Sequence, residues 1–341
     1  MNEPLNLSQF TRLRESLTIG DVVSVAFTIS RERWKQNAGI ALQATAWLFV
    51  PIIGGGILSA IFMPLMISSG RSGAAARSSA SGMAVLVFVV WLVAALYCLG
   101  RYMANSALIA RLTFNDLAQQ SESVADARRF TQSRTWSYLG ASLLMGLLYL
   151  AVLIAVSIAF SIVVVLVTLA LGVSGSGPFG SVSRLNNPVL GFFLVIGLLI
   201  ALVGFLVGLT WFGSRFFFYE VPMSVERETG AAASIGRTWS LGNRSNWRLM
   251  IITTLAYLIT LPIQAIAQVV IMVCLLIPQL AMGQSGAVSG GLVGISLLVN
   301  LLVNFVVVVA TIVFWQAVKA VVYFDLRNQA EGMGLELRSE R

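Results

Sequence analysis

Histidine is absent from this sequence, and lysine and cysteine each occur only twice. Without histidine the chain lacks the commonest general base and the commonest metal ligand of proteins. Because Lys35 and Lys319 are its only lysines, the chain has no GxxxxGK[ST] phosphate-binding loop. Cys98 and Cys274 form no CxxC motif, and the serines have no histidine to activate them. The sequence therefore predicts a protein that is not an enzyme and binds no metal and no cofactor.

Charged residues are also scarce, at 11% of the 341 residues, whereas hydrophobic residues make up 57%. Soluble domains carry roughly 25% charged residues. A water-exposed surface of this size could not be covered by so few charges. The mean hydropathy of +0.87 agrees. The composition predicts an integral membrane protein, in which lipid forms part of the solvent.

Six apolar stretches exceed the roughly 18 residues that a bilayer crossing needs. In lipid, stretches of this length satisfy their backbone polar groups only as helices. The sequence thus predicts an all-α, polytopic transmembrane helical bundle. The predicted spans are about 39–67, 83–100, 138–172, 189–212, 249–282 and 291–318. They divide the chain into a cytoplasmic segment 1–38, a transmembrane domain 39–326 and a cytoplasmic tail 327–341.

Proline and glycine predict irregularities inside two of the spans. Pro51, followed by glycines at 54–56, predicts a break in the first span. Pro262 and Pro278 predict kinks in the fifth.

Basic residues cluster next to alternate ends of the predicted spans. All 22 Lys and Arg residues except Arg71, Arg77 and Arg184 fall on one side, together with all 14 acidic residues. Because Lys and Arg are enriched in cytoplasmic loops, both termini are predicted to be cytoplasmic, in a membrane of the bacterial inner-membrane type. The net charge of +8 then points to anionic lipid headgroups as partners, and not to nucleic acid.

The chain follows the same order three times. A charged amphipathic stretch carrying tryptophan precedes an apolar span, and a second span then ends at a basic residue. The tryptophans, which are candidate interfacial anchors, are Trp34, Trp136, Trp239 and Trp247, and the exit residues are Arg101, Arg215 and Lys319. This order predicts three repeated helical hairpins. The alternative is that any six-span protein with basic cytoplasmic loops has such a rhythm.

The stretch before the first span has the pattern of an amphipathic helix lying in the membrane interface. One predicted face carries Val23, Ala26, Phe27 and Trp34, and the other carries Asp21, Thr28, Arg31 and Lys35. Two interpretations remain open. The helix either contacts lipid or a partner, or it anchors the entry of the first span.

Uncharged polar residues mark the fifth and sixth predicted spans, while no charged residue lies at the centre of any span. The absence of central charge disfavours an ion-coupled transporter. Gln264 and Gln268 are four residues apart, as are Asn300 and Asn304, so each pair shares a helix face. We expect both pairs to point inward and Gln268 to approach Asn300. They form a candidate intramembrane polar cluster that acts either as interhelical hydrogen-bond glue or as the lining of a solute path.

Both ends of the sequence resemble one family. The run VVYFDLRNQAEGMGLEL is similar to the tail of the bacterial membrane domain of glycerophosphoryl diester phosphodiesterases, through Tyr323, Phe324, Asp325, Leu326, Arg327, Glu331 and Gly332. The opening LTIGDVVSVAFTISRERWKQNAG resembles that family's opening through Ile19, Gly20, Asp21 and Trp34. The resemblance implies the membrane part only, since the catalytic domain is lacking, and it supplies no catalytic residue.

These patterns lead to one hypothesis and two alternatives. The leading hypothesis is a non-enzymatic membrane component that organises lipid or protein neighbours. The alternatives are a passive permease or lipid-translocating protein, with its path near the fifth and sixth spans, and the membrane partner of a separately encoded enzyme. Protein partners or a homo-oligomer stay open, and Gly204 with Gly208 forms a small-xxx-small pair that serves either ordinary helix packing or helix dimerisation.

Overall fold

The chain folds into helices joined by turns over the residues that the structure describes. The computed structural model describes residues 17–69, 74–170, 188–243, 245–280 and 286–331. Its helices are α1 Ile19–Glu32, α2 Trp34–Ser69, α3 Ala74–Leu117, α4 Val124–Ser133, α5 Thr135–Ala170, α6 Pro188–Arg215, α7 Val221–Val225, α8 Ala231–Gly242, α9 Asn246–Leu280 and α10 Gly286–Glu331. These ranges contain no strand, which confirms the predicted all-α class.

Six of the described helices are long and apolar enough to cross a membrane, namely α2, α3, α5, α6, α9 and α10. All six pass the predicted bounds by a few residues at one end or more, and three extend furthest. Helix α2 begins at Trp34 rather than 39, α3 ends at Leu117 rather than 100, and α10 continues to Glu331 rather than 318. The added turns pack against other helices, as the complete burial of Ala107 and Val321 shows. The extensions are therefore stabilised by protein contacts, which an apolar run does not reveal.

The predicted break at Pro51 is wrong, because α2 runs through this residue without interruption. Gly55, one of the glycines that follow Pro51, has a different role. A Cβ on Gly55 would lie 3.0 Å from the Trp91 ring of α3, and the Trp91 indole donates a hydrogen bond of 3.1 Å to the Pro51 carbonyl. The glycine thus lets two spans approach closely. Helix α9 is also continuous through Pro262 and Pro278.

The helix order repeats along the chain. We call α1–α3 the first unit, α4–α7 the second and α8–α10 the third. Each unit starts with a short helix of 10 to 14 residues and continues with two long apolar helices. The short helix α7 is an addition that follows the second long helix of the second unit.

Contacts between the units form a closed ring. The second long helix of each unit packs against the first long helix of the next, in the pairs α3–α5, α6–α9 and α10–α2. The short helix of each unit packs on the second long helix of the preceding one, in the pairs α4–α3, α8–α6 and α1–α10. Three equivalent units would make this pattern, so the ring supports the predicted repeat, while a common origin of the units stays a prediction.

Dense packing is concentrated at the end of the bundle that carries the short helices. We call this part the base, and define it as the described residues within 17–49, 98–145, 214–256 and 312–331. The remaining parts of the long helices form the span region. In the base, Tyr138, Phe218 and Tyr323 are almost completely buried. In the described span region, few side chains are buried, and most apolar ones face outward.

Helix α1 begins with a capping box. The Asp21 amide donates to the Thr18 hydroxyl, and the Thr18 amide donates to the Asp21 carboxylate at 3.1 Å. The predicted apolar face then divides in two. Val23 and Ala26 are buried against the protein, because α1 packs along α9 and α10, while Phe27 remains half exposed. Protein contacts thus cover much of the face predicted to meet lipid.

Candidate functional site in the base

An aromatic cluster joins the three units at the centre of the base. The Tyr323 ring of α10 lies 5.7 Å from the Phe114 ring of α3 and 6.1 Å from the Phe218 ring that follows α6. Phe324 also contacts Phe114, at 5.8 Å. The aromatic pair of the C-terminal motif is therefore a core element of the base. Each ring pair contributes about 0.5–1.5 kcal/mol beyond the burial of its area.

The buried carboxylate of Asp325 links the two ends of the chain. It accepts a hydrogen bond of 3.1 Å from the Leu17 amide, and it forms a 2.7 Å ion pair with Arg248 at the start of α9. Arg248 also donates to the Leu17 carbonyl, and Gln329 donates to Asp325 at 3.0 Å. The two motifs that carry the family resemblance thus meet through this carboxylate.

Glu220 supplies a second buried carboxylate, with only 2% of its surface exposed. It accepts a hydrogen bond of 2.8 Å from the Gln316 amide and one from the Lys319 ammonium. Both donors belong to α10, so this pair connects the second unit to the third. Burial and the adjacent Glu220 carboxylate raise the pKa of Tyr219 far above its usual range, so this phenol stays protonated.

Glu226 lies directly after α7 and holds three further side chains. Its carboxylate accepts hydrogen bonds from the Tyr323 hydroxyl at 2.5 Å and from Thr229 at 2.6 Å. It also forms a 2.7 Å ion pair with Arg237 of α8. Arg134, at the end of α4, donates to the backbone carbonyls of Met223 and Glu226. This corner of the base therefore joins the second unit to the third through charge-assisted hydrogen bonds.

Two more ion pairs hold the short helices to α3. Arg111 binds the Glu122 carboxylate with both ends of its guanidinium, at 2.8 Å each, and this guanidinium also lies 3.9 Å from the centre of the Phe130 ring. Arg33, at the end of α1, forms a 2.7 Å pair with Asp116. Arginine is suited to such sites because its planar fork matches a carboxylate.

The chemistry of this network is structural. Its acids are engaged by arginine, lysine or backbone donors, and Ser123 caps α4 by accepting a hydrogen bond from the Asp126 amide and donating one to the Asp126 carboxylate. Among the described residues, no group of three or more histidine, cysteine, aspartate or glutamate side chains could hold a metal ion. Removing one partner of a buried pair leaves an uncompensated charge, at a cost of about 3–5 kcal/mol. The network therefore fixes the short helices and the unit junctions.

The candidate intramembrane polar cluster does not assemble as expected. Asn304 donates to the Asn300 side chain at 2.8 Å, and Gln264 to the Thr260 hydroxyl at 3.4 Å, so each bond stays within one helix. Gln268 is exposed, and the expectation that it points inward is wrong. The bond that joins α9 to α10 here is donated by the Ser296 hydroxyl to the Cys274 carbonyl, at 2.7 Å. A serine that donates to the backbone of a neighbouring helix cannot be recognised from residue spacing in the sequence.

The four candidate anchors all lie at the surface. Trp34, Trp136, Trp239 and Trp247 are between 42% and 69% exposed. Trp239 also stacks on Phe216 and lies 4.3 Å from the Arg215 guanidinium. Exposure suits an anchor in the headgroup layer, and that role stays a prediction. Gly332, the last residue of the C-terminal motif, lies outside the described residues.

Three apolar grooves are open at the outer surface of the described helices, and no residue pattern predicted them. One, of about 390 Å³, lies between α2 and α3 and is lined by Phe62, Phe88 and Trp91 among others. A second, of about 520 Å³, follows α5 from Leu153 to Leu166. The third, of about 440 Å³, lies between α1, α9 and α10. Grooves depend on the angle between helices, which residue spacing does not encode.

With six long apolar helices and an all-α fold, the chain belongs to the class of multi-pass integral membrane proteins. Comparisons with protein-family models, curated proteins and solved structures find no match. The resemblance to the membrane domain of glycerophosphoryl diester phosphodiesterases therefore stays a prediction that rests on the two terminal motifs.

Proposed function

We propose that the protein is a non-enzymatic membrane scaffold that holds acyl chains in its surface grooves and so organises the lipids around it. The observation that carries this proposal is the combination of open apolar grooves on the outer surface with a base that ties all three units together. Grooves of about 300–1,000 Å³ are of the size that binds small ligands.

The lining of the grooves favours acyl chains over polar solutes. Between α2 and α3 the groove is bounded by Leu58, Val87 and aromatic rings, and Ser59 bonds its own helix at the Gly56 carbonyl. Along α5, Ser161 likewise donates to the Ser157 carbonyl. The Ser59 and Ser161 hydroxyls are therefore already used, and most of what remains for a ligand is apolar surface.

The base supplies the rigidity that a scaffold needs. Its ion pairs join the first unit to α4 and the second unit to the third, and Asp325 joins the third unit back to the chain start. Because the base fixes the three units relative to one another, we expect the grooves to keep their positions while the surrounding lipid exchanges. Lipids, including anionic ones, are thus the proposed partners.

We place the base on the cytoplasmic side of a bacterial inner membrane. The distribution of arginine supports this orientation, since the base also carries exposed arginines such as Arg129 and Arg227. After replacement of Cys98 and Cys274, a cysteine at Ser121 should be shielded from impermeant thiol reagents in intact cells, and one at Ser176 should react. The reverse labelling would overturn the orientation.

Retention of lipid by the purified protein tests the scaffold. Ala84 lines the groove between α2 and α3, whereas Ala94 of the same helix is exposed outside it. We expect Ala84→Trp to retain fewer lipids than the wild type in native mass spectrometry, and Ala94→Trp to retain as many. Equal retention by both variants, or hydrolysis of a glycerophosphodiester that follows the pure protein, would overturn the proposal.

A further inference from the structure

We infer that the groove between α1, α9 and α10 binds an anionic phospholipid, with its phosphate on Arg31 and an acyl chain along α9 and α10. This inference rests on the proposed function, and it adds a headgroup preference to one groove. The groove is the one of the three that has a cationic side chain in its lining.

The walls of this groove come from α1, from the first residue of α2, and from α9 and α10, which together belong to two units. Phe27 and Trp34 of the first unit face Ile259 and Ile263 of α9, and Phe314 of α10 closes the groove. Phe27 and Phe314 are in edge-to-face contact, with ring centres 6.5 Å apart. The apolar walls continue into the part of α9 and α10 that is long and apolar enough to cross a membrane. An acyl chain therefore fits this lining.

Arg31 is the charged member of the lining. It lies in the last turn of α1 and is exposed, and it makes no ion pair with another described residue. Its neighbour Arg33 is instead engaged by Asp116 at 2.7 Å. Glu32 is exposed as well, but it does not line the groove. The positive charge at the groove is thus available to an anion.

The hydroxyl groups of the lining cannot replace Arg31 as donors. Ser30 donates to the Ala26 carbonyl at 2.7 Å, and Thr311 donates to the Val307 carbonyl at 2.8 Å. Thr260 donates to the Tyr257 carbonyl at 3.0 Å. These groups are satisfied within their own helices. Recognition of a phosphate therefore depends on Arg31, while Trp34 beside it suits the headgroup layer.

A cation in the last turn of a helix also interacts favourably with the helix dipole. That role would require no lipid and no headgroup preference. Lipid binding must therefore be measured separately from stability. If Arg31 serves only the helix dipole, the neutral variant loses stability but keeps the lipid affinities of the wild type, whereas phosphate binding makes the neutral variant lose its headgroup preference.

Quenching of tryptophan fluorescence by brominated lipid is a suitable measurement, because Trp34 lines the groove. The delipidated protein is titrated with brominated phosphatidylglycerol or phosphatidylcholine, and the Trp34→Phe variant identifies the signal from the groove. We expect saturable quenching with tighter binding of phosphatidylglycerol. Arg31→Gln should weaken binding of phosphatidylglycerol about fivefold without changing that of phosphatidylcholine, and Arg31→Lys should keep most of the preference.

Two further variants control the experiment. Arg129→Gln removes another exposed charge, from the short helix α4, and should change neither affinity. Ala310→Leu fills the groove and should weaken both lipids. Unaltered binding of phosphatidylglycerol by Arg31→Gln, or equal binding of both lipids by the wild type, would overturn the headgroup assignment alone. Absence of any saturable quenching would overturn lipid binding in this groove, and with it the proposed function there.

Discussion

Apolar side chains of the same kinds are buried in the base and exposed in the span region. In the base, Ile29 and Leu108 are at most 1% exposed, whereas in the span region Leu86 and Ile266 are 69% and 67% exposed. Ion pairs follow the same division, since all five described ones lie in the base. Lipid solvates the outward side chains of the spans, so the protein–protein contacts that hold the fold together are concentrated at one end.

The contacts that stabilise the fold are thus located mainly in the base. Each unit is one helical hairpin with a short helix, and a single hairpin can bury little of its own surface. The base lets each short helix use the preceding unit as its partner. Changes in the base should therefore weaken the whole bundle, whereas comparable changes in the span region should not. The following variants test this comparison, in order of decreasing expected effect.

The largest effect should follow Lys319→Met. This change removes the ammonium from Glu220, which then stays buried with only Gln316 as a donor. We expect the free energy of unfolding in detergent to fall by about 3–5 kcal/mol. The double variant Lys319→Met with Glu220→Gln should recover part of this loss, because no charge is left unpaired. A loss below about 1 kcal/mol would show that the pair behaves as an exposed one.

A matched pair on α9 tests the comparison directly. Ile252, in the base, is 2% exposed, and Ile266, in the span region, is 67% exposed. Ile252→Ala should lower the free energy of unfolding by about 2–5 kcal/mol, because it leaves a cavity. Because Ile266 faces lipid, Ile266→Ala should lower the free energy of unfolding by less than about 1 kcal/mol. Equal losses in thermal unfolding would contradict the division into base and span region.

A smaller and local effect is expected from Asp325→Asn. The neutral side chain still accepts a hydrogen bond from the Leu17 amide, but it loses the ion pair with Arg248. Bonds to charged groups contribute about 1.5–3 kcal/mol. We expect faster amide hydrogen exchange in α1, with exchange in α4 unaltered. Acceleration in both helices would mean that Asp325 supports the whole base and not the chain start alone.

Span number and helical class could be predicted because lipid imposes length and composition on every crossing. The alternation of short amphipathic stretches with apolar helices could be predicted too, since tryptophan and arginine recur at their boundaries, while the threefold repeat itself stays a prediction. The ends of α3 and α10 could not, because Leu108 and Val321 are kept helical by neighbours distant in sequence. Burial of this sort comes from tertiary packing, which follows no local period.

The candidate site, too, could be predicted only in part. Tyr323 and Asp325 were singled out by resemblance, and the structure places both in the core of the base. Glu220 was missed, because a glutamate in a basic, polar connection has the pattern of a solvated surface. Its proximity to the exit residue Lys319 arises only when α10 packs beside the second unit. Ion pairs between units therefore could not be predicted from the sequence alone.

The smallest effect is expected at Gln268, which can be compared with Asn300 within the span region. Gln268 is exposed and makes no hydrogen bond with another described residue, while Asn300 accepts one from Asn304. A carboxamide that faces acyl chains without a partner is unfavourable, so Gln268→Leu should leave the free energy of unfolding unaltered or raise it by up to about 1 kcal/mol. Asn300→Leu should lower it by about 0.6 kcal/mol, the average for a hydrogen bond between side chains in a membrane. Opposite signs in parallel thermal unfolding experiments would confirm that the two polar pairs have different surroundings. A clear loss of stability in Gln268→Leu would instead show that this side chain has a partner in the membrane, such as a second copy of the chain, and that lipid alone does not cover this face of α9.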